Sequence, residues 1–236
     1  MRSAFLDPRL DAVASFVPPG ARVADVGADH GLLAKALLRS GIARSCVATE
    51  ASPPRLARLT LRVGAQARLE FRCGDGLAPL RPEDGLDVLV LAGLGGASIV
   101  RILSQPRRGR LGIRRYVLQP ATDAACVRRW LLGNGLGRMD ERLVEMRGRF
   151  HTVIAAENGN APPLPAALDE DDVLEAGAPL LARRDPALLP YWRSTLDRQR
   201  RILREATPGR GRSEALRVAG VAERVLAWLA EARRVG

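Results

Sequence analysis

Three carboxylates and a few glycines mark the part of this sequence where chemistry could take place. Asp29 lies in the run VADVGADHGLLAKALL, residues 23–38; Glu50 closes SCVATE; Asp75 falls in CGDG. The first run has the order of a cofactor-holding turn: an apolar strand, a loop with Gly27 and Gly31, then a helix. A dinucleotide loop brings its backbone against a pyrophosphate seated at the helix N-terminus. A carboxylate between the two glycines would repel that pyrophosphate by roughly a few kcal/mol in a partly buried site. The loop therefore argues against NAD, FAD or ATP and for S-adenosylmethionine, which has no phosphate and carries a sulfonium cation. Glu50, about twenty residues further on, stands where an acid accepts hydrogen bonds from both ribose hydroxyls. Asp75 can accept the adenine amino hydrogen. Each acid alone is an ordinary strand-end residue; three at the ends of three successive strands make a ligand site.

The elements that must hold these acids follow from the periodicity. RLDAVASFV reads as a short leading helix closed by PPG. ARVADVG, SCVATE, RLEFRCGDG, GLDVLVLAGLGG and RYVLQP read as strands. The helices between and after them are GLLAKALLRSG, PPRLARLTLRVG, ASIVRILSQ and TDAACVRRWLLGNG. Thr122 is the expected N-cap of the last of these, with Gly41 and Gly135 as terminators. ERLVEMRGRFHTVIAAEN reads as two strands turning near Arg147–Gly148. The alternation predicts an α/β fold, a Rossmann-like parallel sheet with helices on both faces. At NGNAPPLPAALDEDD the rhythm stops, which places a domain boundary at about Pro165 and divides the chain into residues 1–165 and 166–236. Beyond it, LLPYWRSTLDRQRRILREA and RSEALRVAGVAERVLAWLAEARRV are joined by TPGRG. They predict a helical hairpin with Leu189, Trp192, Leu196 and Leu203 facing Val218, Ala222, Val225 and Leu229.

The formal net charge is +11, and Lys35 is the only lysine, so the excess is arginine. Such a balance favours a polyanionic partner. Arg193, Arg198, Arg200, Arg201, Arg204, Arg210 and Arg212 fall on the outer faces of the predicted hairpin and are candidates for RNA contact. Cys46, Cys73 and Cys126 form no CxxC pair and read as reduced, buried thiols of a cytoplasmic protein; with His30 and His151 the only histidines, no metal site is expected. No apolar run is long enough for a signal peptide or a membrane span, and no obligate protein partner is evident.

The segments DVGADHG, GDGL, LAGLGGASIVRIL, LQP and GAPLLARRDPALLPYWR resemble the bacterial tRNA (adenine-22-N1)-methyltransferases, the TrmK family. The similarity runs from about Arg9 to Arg201. The resemblance implies a class I methyltransferase domain followed by a helical, coiled-coil-like domain, S-adenosylmethionine as cofactor and tRNA as partner. Gly27, Asp29, His30, Glu50, Asp75 and Gly76 would line the cofactor site, together with Ala51 and Gly93, and Asp29 would be the catalytic carboxylate. The chain departs from the pattern at Gly31–Leu32–Leu33, at ASPPRLARL after Glu50, at Leu94 where the family carries methionine, and at Ala121 after LQP.

The residues also bound the reaction. LAGLGGAS stands where enzymes methylating exocyclic amines carry (D/N)PP(Y/F), and Cys126 lies inside a predicted helix rather than in a nucleophile loop. A ring nitrogen such as adenine N1 remains: its in-plane lone pair can attack a methyl group directly, and the product is cationic. Asp29 could stabilise that charge or accept a hydrogen bond from the adenine amino group; it could also only cap the helix. His30 reads equally as a ring contact to the cofactor or as a second cap. N1 lies on the Watson–Crick edge, so its target must be unpaired or flipped out. Two other readings are a methyltransferase for a different substrate and a non-catalytic RNA-binding protein that retains the fold.

Overall fold

The computed structural model describes residues 6–161, 167–205 and 207–231. The chain forms two compact units, Met1–Ala161 and Pro162–Gly236; the expected boundary at Pro165 lies outside the described residues.

The first unit runs α1 (Pro8–Ser15), β1 (Ala21–Val26), α2 (Leu32–Arg39), β2 (Ala43–Glu50), α3 (Pro53–Val63), β3 (Leu69–Cys73), β4 (Val88–Gly95), α4 (Gly96–Leu103), β5 (Arg115–Thr122), α5 (Ala124–Gly133), β6 (Arg138–Met146) and β7 (Arg149–Glu157). The strands form one sheet in the order β3-β2-β1-β4-β5-β7-β6. The first five are parallel, and β7 and β6 complete the sheet antiparallel. The reversal between β1 and β4 is the point where such a sheet opens a crevice at its carboxyl edge.

Side-chain alternation sorts VLVL of β4 between two cores. Leu89 and Leu91 pack with Ile99, Leu103, Val127 and Leu131 on the α4–α5 side. Val88 and Val90 pack with Val13, Phe16, Leu33 and Leu37 on the α1–α2 side. Both faces are covered, which is why the strand is an unbroken apolar run. The β6–β7 turn is Arg147–Gly148, both at positive φ (52° and 72°), the backbone a two-residue hairpin needs.

Three local expectations are corrected. The cap of α5 is Asp123, not Thr122: β5 extends far enough for Thr122 to pair with Gly95, and the Asp123 carboxylate accepts the Cys126 N–H at 3.0 Å. Of the cysteines only Cys46 is buried; Cys73 is exposed and Cys126 half-buried, and none of the three is in a disulfide. In the second unit Leu188, rather than Leu189, is the fully buried leucine that opens the hairpin face.

The second unit comprises α6 (Glu170–Ala176), α7 (Ala178–Ala182), α8 (Leu188–Glu205) and α9 (Arg210–Glu231). Trp192, Leu196, Ala215, Ala219, Ala222, Val225 and Leu229 are buried between the elements of this unit, where α8 packs on α9 and α6 on α9. Asp169 caps α6 by accepting the Asp172 N–H at 2.7 Å. Asp172, itself buried, receives both arms of Arg224 at 2.7 and 2.8 Å. This bidentate pair fixes the register of α6 on α9. Among the described residues no helix is long and apolar enough to cross a membrane.

Candidate active site

A cleft of about 920 Å³ opens at the carboxyl ends of β1, β2 and β4. Its lining includes Gly27, Asp29, His30, Glu50, Ala51, Asp75, Gly76 and Gly93, so every residue expected to touch a cofactor faces one space.

The loop after β1 explains what the cleft can and cannot hold. The N–H groups of Gly27 and Ala28 both donate to the Thr49 carbonyl, at 2.9 and 3.0 Å, and that of Gly31 donates to Ala28. These amides are turned back into the protein rather than toward a ligand. The next position available to an anion, the N-terminus of α2, holds the carboxyl of Asp25, hydrogen-bonded by the Ala34 N–H. A pyrophosphate approaching there would meet the Asp25 carboxyl, with the Gly27, Ala28, Gly31 and Ala34 amides already engaged. Asp25 is 4% exposed, its Oδ2 has no partner, and burial pushes its pKa up to about 7. Thr49 Oγ1 is likewise buried without a partner in the cleft wall. Two orphaned polar atoms in one wall are costly unless a ligand satisfies them.

The expected acids differ in setting. Glu50 is buried, and its Oε1 accepts the Ser52 N–H at 2.9 Å. Asp75 is exposed and held by Arg101 at 2.8 and 3.1 Å; these hydrogen bonds keep its carboxyl below the usual range. Asp29 sits at φ 43° with an exposed side chain, 3.4 Å from His30 Nε2, and His30 Nδ1 lies 3.4 Å from Arg62. Neither Asp29 nor His30 caps α2. Gly31 occupies the N-cap at φ 62°, with no side-chain cap bond. The capping alternative for both residues is thereby removed, and the Asp29 carboxylate is left facing the cleft.

Residues 6–154 match the family described as a methyltransferase domain. The chain belongs to this methyltransferase family. A curated relative, the tRNA (adenine(22)-N(1))-methyltransferase of Bacillus subtilis, is 29% identical over 200 residues, 84% of each chain. The crystal structure of the Streptococcus pneumoniae protein described as a putative tRNA (m1A22) methyltransferase, in complex with S-adenosyl-L-methionine, superposes with a TM-score of 0.80. It is 28% identical, over 94% of this chain and 99% of that one. The Bacillus subtilis m1A22 tRNA methyltransferase TrmK gives a TM-score of 0.78 at 25% identity, over 94% and 98% of the two chains. The donor set of this methyltransferase fits S-adenosylmethionine: acids on three strand ends, and a buried carboxyl and hydroxyl in need of partners. Among the described residues no three metal-binding side chains come together.

Three residues in or beside the cleft have structural roles that the sequence does not assign. Gln119, buried at the end of β5, accepts the Gly93 N–H at 3.1 Å and Arg9 Nη1 at 2.7 Å on one oxygen. Its Nε2 donates to the Pro120 carbonyl at 3.0 Å. This side chain ties α1, β4 and β5 together at the cleft, and it is the Q of LQP. Asp25 interrupts the apolar run of β1 in VADVG, which is the one sequence signal it offers. Gly96, in AGLGG, lets α4 start against α5: a Cβ there would lie 2.2 Å from the Asp123 carbonyl and 2.7 Å from Cys126 Sγ.

Arg193, Arg198, Arg200, Arg201 and Arg204 lie on α8 in the second unit, all exposed; Arg200 pairs with Glu223 at 3.1 Å. The cleft lining includes none of them. Arg212 is not an outer-face residue: it is half-buried and donates to the Leu203 carbonyl at 2.6 Å, closing the hairpin.

Proposed function

We propose that this methyltransferase modifies N1 of an unpaired adenine in tRNA, at the position numbered 22 in the relatives. The observation that carries the proposal is the cleft itself. It offers carboxylates where a phosphate-free cationic cofactor and a cationic product would need them, on a chain that aligns over most of its length with a tRNA adenine-22 N1-methyltransferase. S-adenosylmethionine, when bound, supplies an electrophilic methyl group.

The chain's own residues then have distinct tasks. Glu50 holds the ribose hydroxyls from its buried place at the end of β2. Asp75 accepts the adenine amino group of the cofactor, exchanging its bond to Arg101 for it. Asp25 and Thr49 supply the two unsatisfied polar atoms of the wall. The AGLGG turn gives the target base a backbone surface, held in shape by the Gln119–Gly93 bond. It lacks the prolines and aromatic clamp used for exocyclic amines, so the ring nitrogen is the reacting atom. With the cofactor bound, the N1 lone pair would form the new C–N bond as the sulfur–methyl bond breaks and its electron pair stays on the sulfur, leaving a neutral thioether. The positive charge passes to the ring, where the Asp29 carboxylate stabilises it. The base reaches the cleft flipped out of its helix, or from an unpaired position. The arginines of α8 hold tRNA phosphates, which sets the working place of the protein in the cytoplasm, with tRNA.

The test is nucleoside mass spectrometry of tRNA from cells with and without the gene, and of unmodified tRNA incubated with purified protein and cofactor. Loss of 1-methyladenine in the deletion and its appearance in vitro are expected. Methylation at another atom, or none in either setting, would overturn the assignment.

A further inference from the structure

The first unit carries a basic stripe at the mouth of the cleft that has no part in the roles assigned so far. Helix α3 packs inward by Leu56, Leu59 and Val63, half-buried, buried and buried. One residue back, at the same i, i+3, i+7 spacing, Arg55, Arg58 and Arg62 form a parallel stripe that is exposed throughout. Arg55 and Arg58 line the cleft, and Arg62 touches His30 on the cofactor loop.

The charge around this stripe is unbalanced. From Ala51 to Arg68 the sequence holds Arg55, Arg58, Arg62 and Arg68 and no acid. Among the described residues none of the four meets a carboxylate within ion-pair distance. Several other arginines of the same unit are neutralised by neighbours: Arg72 by Glu70 and Asp84, Arg101 by Asp75, Arg115 by Glu157, Arg128 by Glu141. Helix α3 also stands firmly where it does. A Cβ on Gly31 would lie 2.6 Å from Leu59 and 2.8 Å from Val63, so the cofactor loop and α3 are in direct contact. The stripe is thus a rigid rim, and it extends about 10 Å along the helix from Arg55 to Arg62.

We propose that Arg55, Arg58 and Arg62 bind the phosphates of the RNA strand that delivers the target base, as a second RNA contact separate from α8. This rests on the tRNA reading above. A base extruded into the cleft draws its own flanking phosphates to the rim, within a nucleotide's length of the reacting atom. Guanidinium groups without carboxylate partners match phosphate oxygens two bonds at a time. The helix is exposed on this side, so the backbone can approach without displacing protein.

The experiment compares three full-length proteins: wild type, the triple variant Arg55→Gln/Arg58→Gln/Arg62→Gln, and the triple variant with Lys at the same positions. Each is titrated with unmodified tRNA from about 50 to about 300 mM KCl, a range over which counterion release is readily measured, and with S-adenosylmethionine by calorimetry. Abolishing one arginine–phosphate bond lowers the slope of log K against log salt by about 0.7–0.9. The Gln variant should drop by about 2 in slope and bind tRNA at least about tenfold more weakly at about 100 mM salt, with cofactor affinity within about twofold of wild type. The Lys variant should keep most of the slope. An unchanged slope in the Gln variant overturns the proposal. So does a fall in cofactor affinity with tRNA binding unmoved, which would give these arginines to the cofactor instead. A wild-type chain that binds tRNA through this stripe but forms no 1-methyladenine overturns the assigned reaction and leaves the rim in place. A wild-type chain that does not bind tRNA overturns both.

Discussion

Replacing Asp25 by Asn should make the cofactor-free protein more stable at neutral pH and its ligand binding weaker. The carboxyl is fully enclosed, one oxygen accepts the Ala34 N–H, and the other has no partner. Burial raises its pKa from 3.8 to about 7. Below pH 3.8 the group is protonated in both folded and unfolded chains and contributes nothing to pH dependence. Between pH 3.8 and about 7 the unfolded chain releases the proton and the folded chain keeps it, so stability falls as pH rises. Above about pH 7 both forms are ionised and the loss is complete, at roughly 4 kcal/mol by linkage. Cys46, whose thiol is pushed up by burial and then by the Asp25 charge, stays protonated through this window. The asparagine side chain has the same shape and keeps an acceptor for Ala34, but has no proton to lose. The variant's stability advantage over wild type should therefore widen by roughly 3 kcal/mol between about pH 5 and about pH 8. Denaturant melts of both proteins at half-unit steps of pH measure this directly. The second arm is calorimetry at about pH 8, where a cationic ligand loses the Asp25 carboxylate in the variant and should bind at least about tenfold more weakly. Parallel stability curves for the two proteins would refute the reasoning, because they would show that Asp25 ionises as freely folded as unfolded.

Asp29→Asn should lower single-turnover methyl transfer to tRNA by about 10²-fold, from roughly 3 kcal/mol of lost charge stabilisation, with an unchanged melting curve because the residue caps nothing. Quench-flow with saturating enzyme and cofactor checks the first part, and a wild-type rate would remove Asp29 from the mechanism. Glu50→Ala should weaken S-adenosylmethionine binding by roughly 1–3 kcal/mol in titration calorimetry, the loss of charged hydrogen bonds. A protein ending at Ala161 should fold, bind the cofactor and bind tRNA more weakly than the full chain, through the α3 arginines alone, as measured by anisotropy. The cut belongs there because deleting only α8 and α9 would strand buried Asp172 without Arg224.

The sheet is legible in the sequence because each strand is a short apolar run bounded by glycine or proline, and each helix between strands carries its own apolar stripe. The three acids are legible because strand ends in such a sheet converge on one edge. The rest depends on contacts that no local pattern encodes. Asp25 looks like an interruption of β1; only the fold shows that it is sealed in and short of a partner. Thr122 and Asp123 are both good caps, and the choice is made by β5 pairing one residue further along β4. Gln119 reads as a polar residue before proline until α1 and β4 are brought to it. Helix α6 escapes a reading by periodicity because DEDDVLEA follows a proline-rich stretch; Asp169 and the acids after it are a helix-start signature too short to stand out from the charge.

The fit of Gly31 against Leu59 and Val63 has a bearing on how the sequence can change over time. Gly31 takes a left-handed backbone at the N-cap of α2 while two side chains of α3 fill the space where its own would be. A larger residue at 31 is closed to this chain unless α3 gives up volume at both 59 and 63 and the new residue also bears the left-handed backbone, and a smaller residue at 59 or 63 leaves a void beside Gly31. The three sites must therefore drift as a group. The cofactor loop and the arginine-bearing helix behind it are heritable as one unit, and transplanting either into a relative without the other should fail for reasons of volume alone.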